Sequence, residues 1–102
     1  MALELTRDNY RTYRAYRDLL KDKLAELTLY AKELCPDAIV EVSSISYEDE
    51  DGHVIIYPPP GLSEEEEERV ELAVAARAGE IFEKTGLFIL CAALDRPARS
   101  DE

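Results

Sequence analysis

Apolar residues recur at helical spacing in the first third of the chain. From Thr6 to Leu34 the sequence contains neither Gly nor Pro, and its apolar positions advance in steps of three and four. They are Tyr13, Tyr16, Leu20, Leu24, Leu27, Ala31 and Leu34. This stripe predicts one long amphipathic helix. It ends at Cys35, because the residue before a proline, here Pro36, is driven out of helical geometry.

A second helix is predicted from Ser63 to Thr85, and it has two apolar stripes. Ser63 and Glu66 match a capping box at its start, and Gly86 follows its end. The bulkier stripe should face a sheet and consists of Val70, Val74, Ala78 and Ile81. The other stripe consists of Leu72, Ala75, Ala76 and Gly79. A helix that is apolar on two faces is normally covered on both. The second stripe therefore predicts contact with the first helix or with a second copy, and we favour the homodimer.

Three segments have the composition of β-strands. Ala38–Tyr47 is rich in β-branched residues, and Gly52–Tyr57 follows it after the acidic sequence EDED, so the two form a predicted hairpin with a solvated turn. Three prolines, residues 58–60, end the second strand. Leu87–Leu94 is apolar at alternate and intervening positions alike, which predicts a third strand covered on both faces.

The resulting order is α-β-β-α-β. We therefore expect an α+β fold in a single small domain over residues 1–94, with two helices packed on a three-stranded sheet. The sheet should consist of the hairpin plus the C-terminal strand. Residues 95–102 form a polar tail that we expect to fray.

Charge narrows the range of partners. The net charge is −11, and residues 35–102 hold five Lys/Arg against seventeen Asp/Glu. An acidic body repels phosphate, so general binding to nucleic acid or to an anionic membrane is disfavoured and a basic protein partner is favoured. The candidate acidic surface at the start of the second helix comprises Glu64, Glu65, Glu67 and Glu68. The competing interpretation is a solvated helix start that is stabilised by the helix dipole.

The first helix opens with three Tyr–Arg pairs, in the sequence YRTYRAYR from Tyr10 to Arg17. On a helical wheel Tyr13 and Tyr16 fall within the apolar stripe, while the arginines lie on the neighbouring face. The pattern therefore favours core tyrosines beside solvated arginines. A candidate anion- or ligand-binding patch remains, and it comprises Arg7, Tyr10, Arg11 and Arg14.

The sequence predicts neither a catalytic centre nor a cofactor or metal site. The EDEDG segment lacks the first and last ligands of a calcium loop, and His53 is the only histidine and has no second nitrogen ligand nearby in sequence. Cys35 and Cys91 have no Cys-x-x-Cys spacing and lie among apolar residues. They are predicted to be free thiols, which suits a reducing cytoplasm.

We therefore expect a small acidic cytoplasmic protein-interaction module: an adaptor, a regulatory subunit, or an inhibitor or immunity-type partner, without catalytic activity of its own. The alternative is a domain that senses a small molecule or a nucleotide through the arginines of the first helix.

Overall fold

The structure, a computed structural model, describes residues 13–44 and 50–94. Its elements, in chain order, are α1 (Tyr13–Leu34), β1 (Ile39–Ser43), β2 (Gly52–Tyr57), α2 (Glu64–Thr85) and β3 (Ile89–Ala93). The predicted α+β fold and element order are confirmed. The start of the first helix, the end of the first strand and the polar tail were predicted in segments that lie outside the described residues. In the described part of the chain, no helix is long and apolar enough to cross a membrane.

The strands form one mixed sheet in the order β1-β2-β3. β2 is central: it pairs antiparallel with β1, from Ile39 opposite Tyr57 to Ser43 opposite His53, and parallel with β3, with Gly52 opposite Ile89. Parallel neighbours need a long crossover connection, which α2 supplies. β3 is consequently an edge strand.

Both helices contribute to one core on one face of the sheet. The largest fully buried side chains are those of Leu27, Val54, Ile56, Val74 and Leu87. Residues of α1, α2 and β2 thus form a single apolar cluster, and the bulky stripe of α2 faces the sheet as predicted. Among the described residues of the predicted α1 stripe, Tyr16 is half-buried and Leu34 is exposed, because the buried residues Ala31 and Cys35 close that end of the core.

Charged and aromatic side chains join α1 to one flank of α2. The Arg77 guanidinium lies 4.1 Å from the centre of the Tyr30 ring. One of its nitrogens lies 3.4 Å from a Glu26 carboxylate oxygen. A guanidinium over an aromatic ring is attracted by the ring's negative face. This seam marks where α1 contacts α2, and the flank on the far side of α2 lies outside it.

The ends of α2 agree with the sequence prediction. The Ser63 hydroxyl accepts a hydrogen bond from the Glu66 backbone N–H, and the Glu66 carboxylate accepts one from the Ser63 N–H, so the capping box is complete. Gly86 has φ of 79°, in the left-handed region that a C-cap requires, and donates its N–H to the Phe82 carbonyl. The chain then turns directly into β3.

The predicted solvated turn before Gly52 is wrong at its last two positions, Glu50 and Asp51, since Glu50 is only 6% exposed. Asp51 is only 3% exposed. Its carboxylate accepts hydrogen bonds from the Tyr16 hydroxyl at 2.8 Å and from the Phe88 N–H at 2.7 Å. Gly52 is a strand residue, and a Cβ there would lie 2.8 Å from the Ser43 carbonyl oxygen. The Asp-Gly pair therefore connects α1, β2 and β3 instead of forming the turn.

Candidate functional site

The structure leaves the second stripe of α2 exposed. Leu72 is 62% exposed, and Ala75, Ala76 and Gly79 are exposed as well. Since α1 meets α2 along the Arg77 seam, the alternative in which the first helix covers this stripe is wrong. The self-association candidates thus remain accessible.

The exposed stripe continues onto β3. Phe82 and Phe88 are 52% and 41% exposed and contact each other edge to face, with ring centres 6.4 Å apart, and Leu90 is 48% exposed. We call this the edge surface; its members are Leu72, Ala75, Ala76, Gly79, Phe82, Phe88 and Leu90. A groove of about 380 Å³ lies between the flank of α2 and β3. The expectation that the third strand is covered on both faces is wrong, because both helices pack on one face of the sheet, the face of Ile89, whereas Leu90 points to the opposite face.

Backbone groups along the free edge of β3 add hydrogen-bond donors and acceptors to this apolar surface. The Phe88 carbonyl accepts from Asp51 N–H at 2.7 Å, and Leu94 N–H donates to the Ile56 carbonyl at 2.9 Å. Backbone groups of successive strand residues alternate in direction, so those of the odd-numbered residues of β3 point away from β2. The Ala93 N–H confirms this direction, since it donates to the Glu71 carboxylate of α2 at 2.8 Å.

Glu71 therefore closes the C-terminal end of the free edge. The outward N–H groups of Ile89 and Cys91 remain, and no strand among the described residues pairs with them. The Ile89 carbonyl accepts a weak bond from the Cys91 thiol, at 4.0 Å. An edge strand with unpaired amides is a template for another strand.

Cys91 lies in the groove, but it is not a reactive thiol. Burial and, secondarily, the negative charge of Glu71 raise the pKa of this thiol from 9.0 to about 12. Since the thiolate is the nucleophile, the raised pKa disfavours nucleophilic reaction of Cys91 at neutral pH. Cys35 is buried, and both cysteines are free.

The predicted arginine patch falls largely outside the described residues, which exclude Arg7, Tyr10 and Arg11. Arg14 is exposed at the start of α1. The Tyr16 hydroxyl is engaged by Asp51. Further along α1, Arg17 and Lys21 line a cleft against β1 together with Val42 and Ser43.

The acidic candidates lie on the first turns of α2. Glu64, Glu65 and Glu68 are exposed, and Glu67 is half-buried. Residues three and four apart share a helix face, so Glu68 stands one turn before Leu72. The acidic start of α2 is thus continuous with the edge surface.

The described residues contain no group of three or more His, Cys, Asp or Glu side chains that could hold a metal ion. His53 is half-buried in β2, opposite Ser43 on one side and Leu90 on the other. It is a residue of β2, within the predicted strand Gly52–Tyr57.

No family model, curated protein or solved structure matches this chain. The functional argument accordingly rests on the geometry of the edge surface. Sequence reasoning identified Leu72, Ala75, Ala76 and Gly79 on α2 but missed Phe82 of the same helix, and it also missed Phe88 and Leu90. The signal was the apolar run of the third strand, in which both alternating faces are hydrophobic.

Proposed function

We propose that this protein is a small acidic protein-interaction module without catalytic activity of its own, which binds its partner through the edge surface. It would serve as an adaptor, a regulatory subunit or an inhibitor-type partner. The observation that carries the proposal is the continuity of the exposed apolar flank of α2 with the open backbone edge of β3. Free Cys35 and Cys91 support a reducing cytoplasm as its place of action.

The chemistry of the edge surface favours a protein over a small molecule. Small-molecule sites combine an enclosed apolar pocket with a few converging polar side chains. The groove between α2 and β3 is instead lined by Ala, Gly, Phe, Ile, Leu and Cys, and its directional polar groups are the backbone amides of Ile89 and Cys91. A partner that supplies a strand satisfies those amides and covers the apolar flank together.

The acidic start of α2 adds a negatively charged rim to this surface. Glu65 and Glu68 lie on the same helical flank as Leu72, and they would attract a basic partner and repel an acidic one. Binding to a basic partner should therefore weaken as salt is added, because exposed charges are screened. Apolar contact at Leu72 and Phe82 should be far less sensitive to salt.

The test places a photo-crosslinking amino acid at Ala76 in the edge surface, with the same group at Ala25 as the matched control. Both positions are exposed helical alanines, Ala25 on α1. We expect irradiation of cells that express the two variants to give a defined cross-linked product from position 76 alone. The product's mass identifies a second copy or another protein. An absence of product at position 76, or the same products from both positions, would overturn the proposal.

The second candidate function is binding of an anionic small molecule or nucleotide by α1. It is favoured by one observation: Arg17 and Lys21 line the same cleft as Ser43 and Ser44. Cations and hydroxyls together suit a phosphate. A thermal-shift screen with nucleotides should then show stabilisation that Arg17→Ala and Lys21→Ala both abolish, and an unchanged melting temperature with every nucleotide would exclude it.

A further inference from the structure

We propose that the partner at the edge surface is a second copy of this chain, joined by antiparallel pairing of the two β3 strands about a twofold axis at Leu90. This inference deepens the proposed function and rests on it, because it assigns an occupant to the same surface. Three features of the structure lead to this arrangement: the open amides of β3, the register of α2 on β3, and the distribution of charge.

The open amides select one strand register. The outward-facing residues of β3 are Ile89, Cys91 and Ala93, and the Ala93 N–H is already bonded to Glu71. Antiparallel pairing of Ile89 with Cys91 of the second copy uses the two remaining N–H groups in each chain. The twofold axis then passes beside Leu90. A register centred on Cys91 would need the Ala93 N–H and would have to displace Glu71.

The smallest residues on the exposed flank of α2 lie level with Leu90 of β3. Glu71 contacts Ala93, and Phe82 contacts Phe88. The intervening stretches, eleven residues of helix and five of strand, both rise about 16 Å. Interpolation between these two contacts places Leu90 level with residues 77–78 of α2. On the exposed flank of α2, Ala76 lies just before that level and Gly79 just after it. The axis that pairs the strands thus brings the smallest residues of α2 to the closest approach of the two helices.

Gly79 has room for such an approach. A Cβ built at this glycine meets no atom within 4 Å. Small residues let two helix backbones come close, as Gly and Ala do at tight helix crossings. Leu72 and Phe82 would then flank the crossing, and the exposed parts of the Phe82 and Phe88 rings would be covered.

The charge distribution permits this pairing despite the net charge of −11. A twofold axis at residues 77–78 runs the two α2 helices antiparallel, so their acidic starts lie at opposite ends. Glu68 of one chain is about 28 Å from Glu68 of the other along the helix axis. That separation exceeds the Debye length of about 8 Å at physiological salt. Repulsion between the acidic starts is therefore screened.

A cysteine placed at Leu90 tests the register directly. Opposed residues in a non-hydrogen-bonded antiparallel pair have Cα atoms about 4.5 Å apart, within the range of about 4.4–6.8 Å that a disulfide spans. In a background with Cys35→Ala and Cys91→Ala, Leu90→Cys should oxidise to a covalent dimer in high yield. Leu29→Cys, at an exposed leucine of α1, is the control for collisional disulfides. Equal yields from the two variants would overturn the twofold axis at Leu90.

Sedimentation velocity over a dilution series tests the dimer without cross-linking. The wild type should sediment as a dimer at high concentration, and Ala76→Arg should be a folded monomer with an unchanged far-UV circular dichroism spectrum. Ala25→Arg, the same change on α1, should still dimerise. A wild type that is monomeric at every concentration would overturn the dimer. If position 76 still cross-links another protein, the interaction module stands and only the choice of a second copy fails.

Discussion

Replacing the buried Asp51 by alanine should destabilise the fold more than the loss of an exposed carboxylate. The Asp51 carboxylate accepts from the Tyr16 hydroxyl of α1 and from the Phe88 N–H at the start of β3. The residue thereby connects the first helix to the strand that follows the second. In Asp51→Ala, both part-buried donors lose this acceptor.

The size of the effect follows from these two hydrogen bonds. A hydrogen bond to a charged group contributes about 1.5–3 kcal/mol. The alanine variant no longer has to desolvate a carboxylate, which offsets part of the loss. We therefore expect Asp51→Ala to lower the free energy of unfolding by about 3 kcal/mol. Tyr16→Phe removes one of the bonds and leaves the carboxylate buried, so it should cost about 1.5–3 kcal/mol.

Urea unfolding at one fixed low protein concentration measures both variants, followed by circular dichroism and by tyrosine fluorescence, since the chain has six Tyr and no Trp. With a slope near 1.5 kcal/mol per M, the Asp51→Ala midpoint should fall by about 2 M. Glu41→Ala is the control: this carboxylate accepts an exposed bond from Tyr57 at 3.3 Å and its loss should cost less than about 0.5 kcal/mol.

Two outcomes would refute this reasoning. One is an Asp51→Ala midpoint that matches that of Glu41→Ala. The other is strict additivity in the Tyr16→Phe, Asp51→Asn double-mutant cycle. Contacting residues should instead show a coupling above about 0.5 kcal/mol.

Three further predictions concern local features of the fold. Gly52→Ala should destabilise the fold by about 1–3 kcal/mol, since its Cβ would meet the Ser43 carbonyl at 2.8 Å. Gly79→Ala, measured under monomeric conditions, should instead stabilise α2 by about 0.5–1 kcal/mol. In thermal melts the two variants should therefore shift the melting temperature in opposite directions. Ser63→Ala should cost about 1 kcal/mol through loss of the N-cap, and an unchanged urea midpoint would contradict the capping box. The raised pKa of Cys91 means that its ionisation favours the unfolded chain, so the stability that depends on the protonated thiol is complete below pH 9.0 and lost as the pH rises towards about 12. Cys91→Ala should flatten that decline in pH-dependent melts, and an identical decline in the variant would refute the shift.

Local sequence signals determined most of the elements. Ser63, Glu66 and Gly86 mark the ends of α2 because capping depends on residues only three or four positions apart. The apolar run after Gly52, ended by three prolines, defined β2, and the spacing of Leu20, Leu24 and Leu27 defined the buried side of α1. These patterns need no knowledge of distant contacts.

The exposure of the edge surface depends on tertiary packing. The sequence marked a second apolar stripe on α2, at Leu72, Ala75, Ala76 and Gly79. Whether that stripe is exposed depends on where α1 packs. In the structure α1 contacts the other flank of α2, where Arg77 meets Glu26 and Tyr30. Leu87–Leu94 resembled a strand covered on both faces, yet both helices pack on one face of the sheet, and Leu90 on the other face is exposed. The acidic sequence before Gly52 resembled a solvated turn, whereas Asp51 is buried by partners 35 and 37 residues away. Strand order and long-range partners are set by how the whole chain packs, and composition within a short window does not contain them.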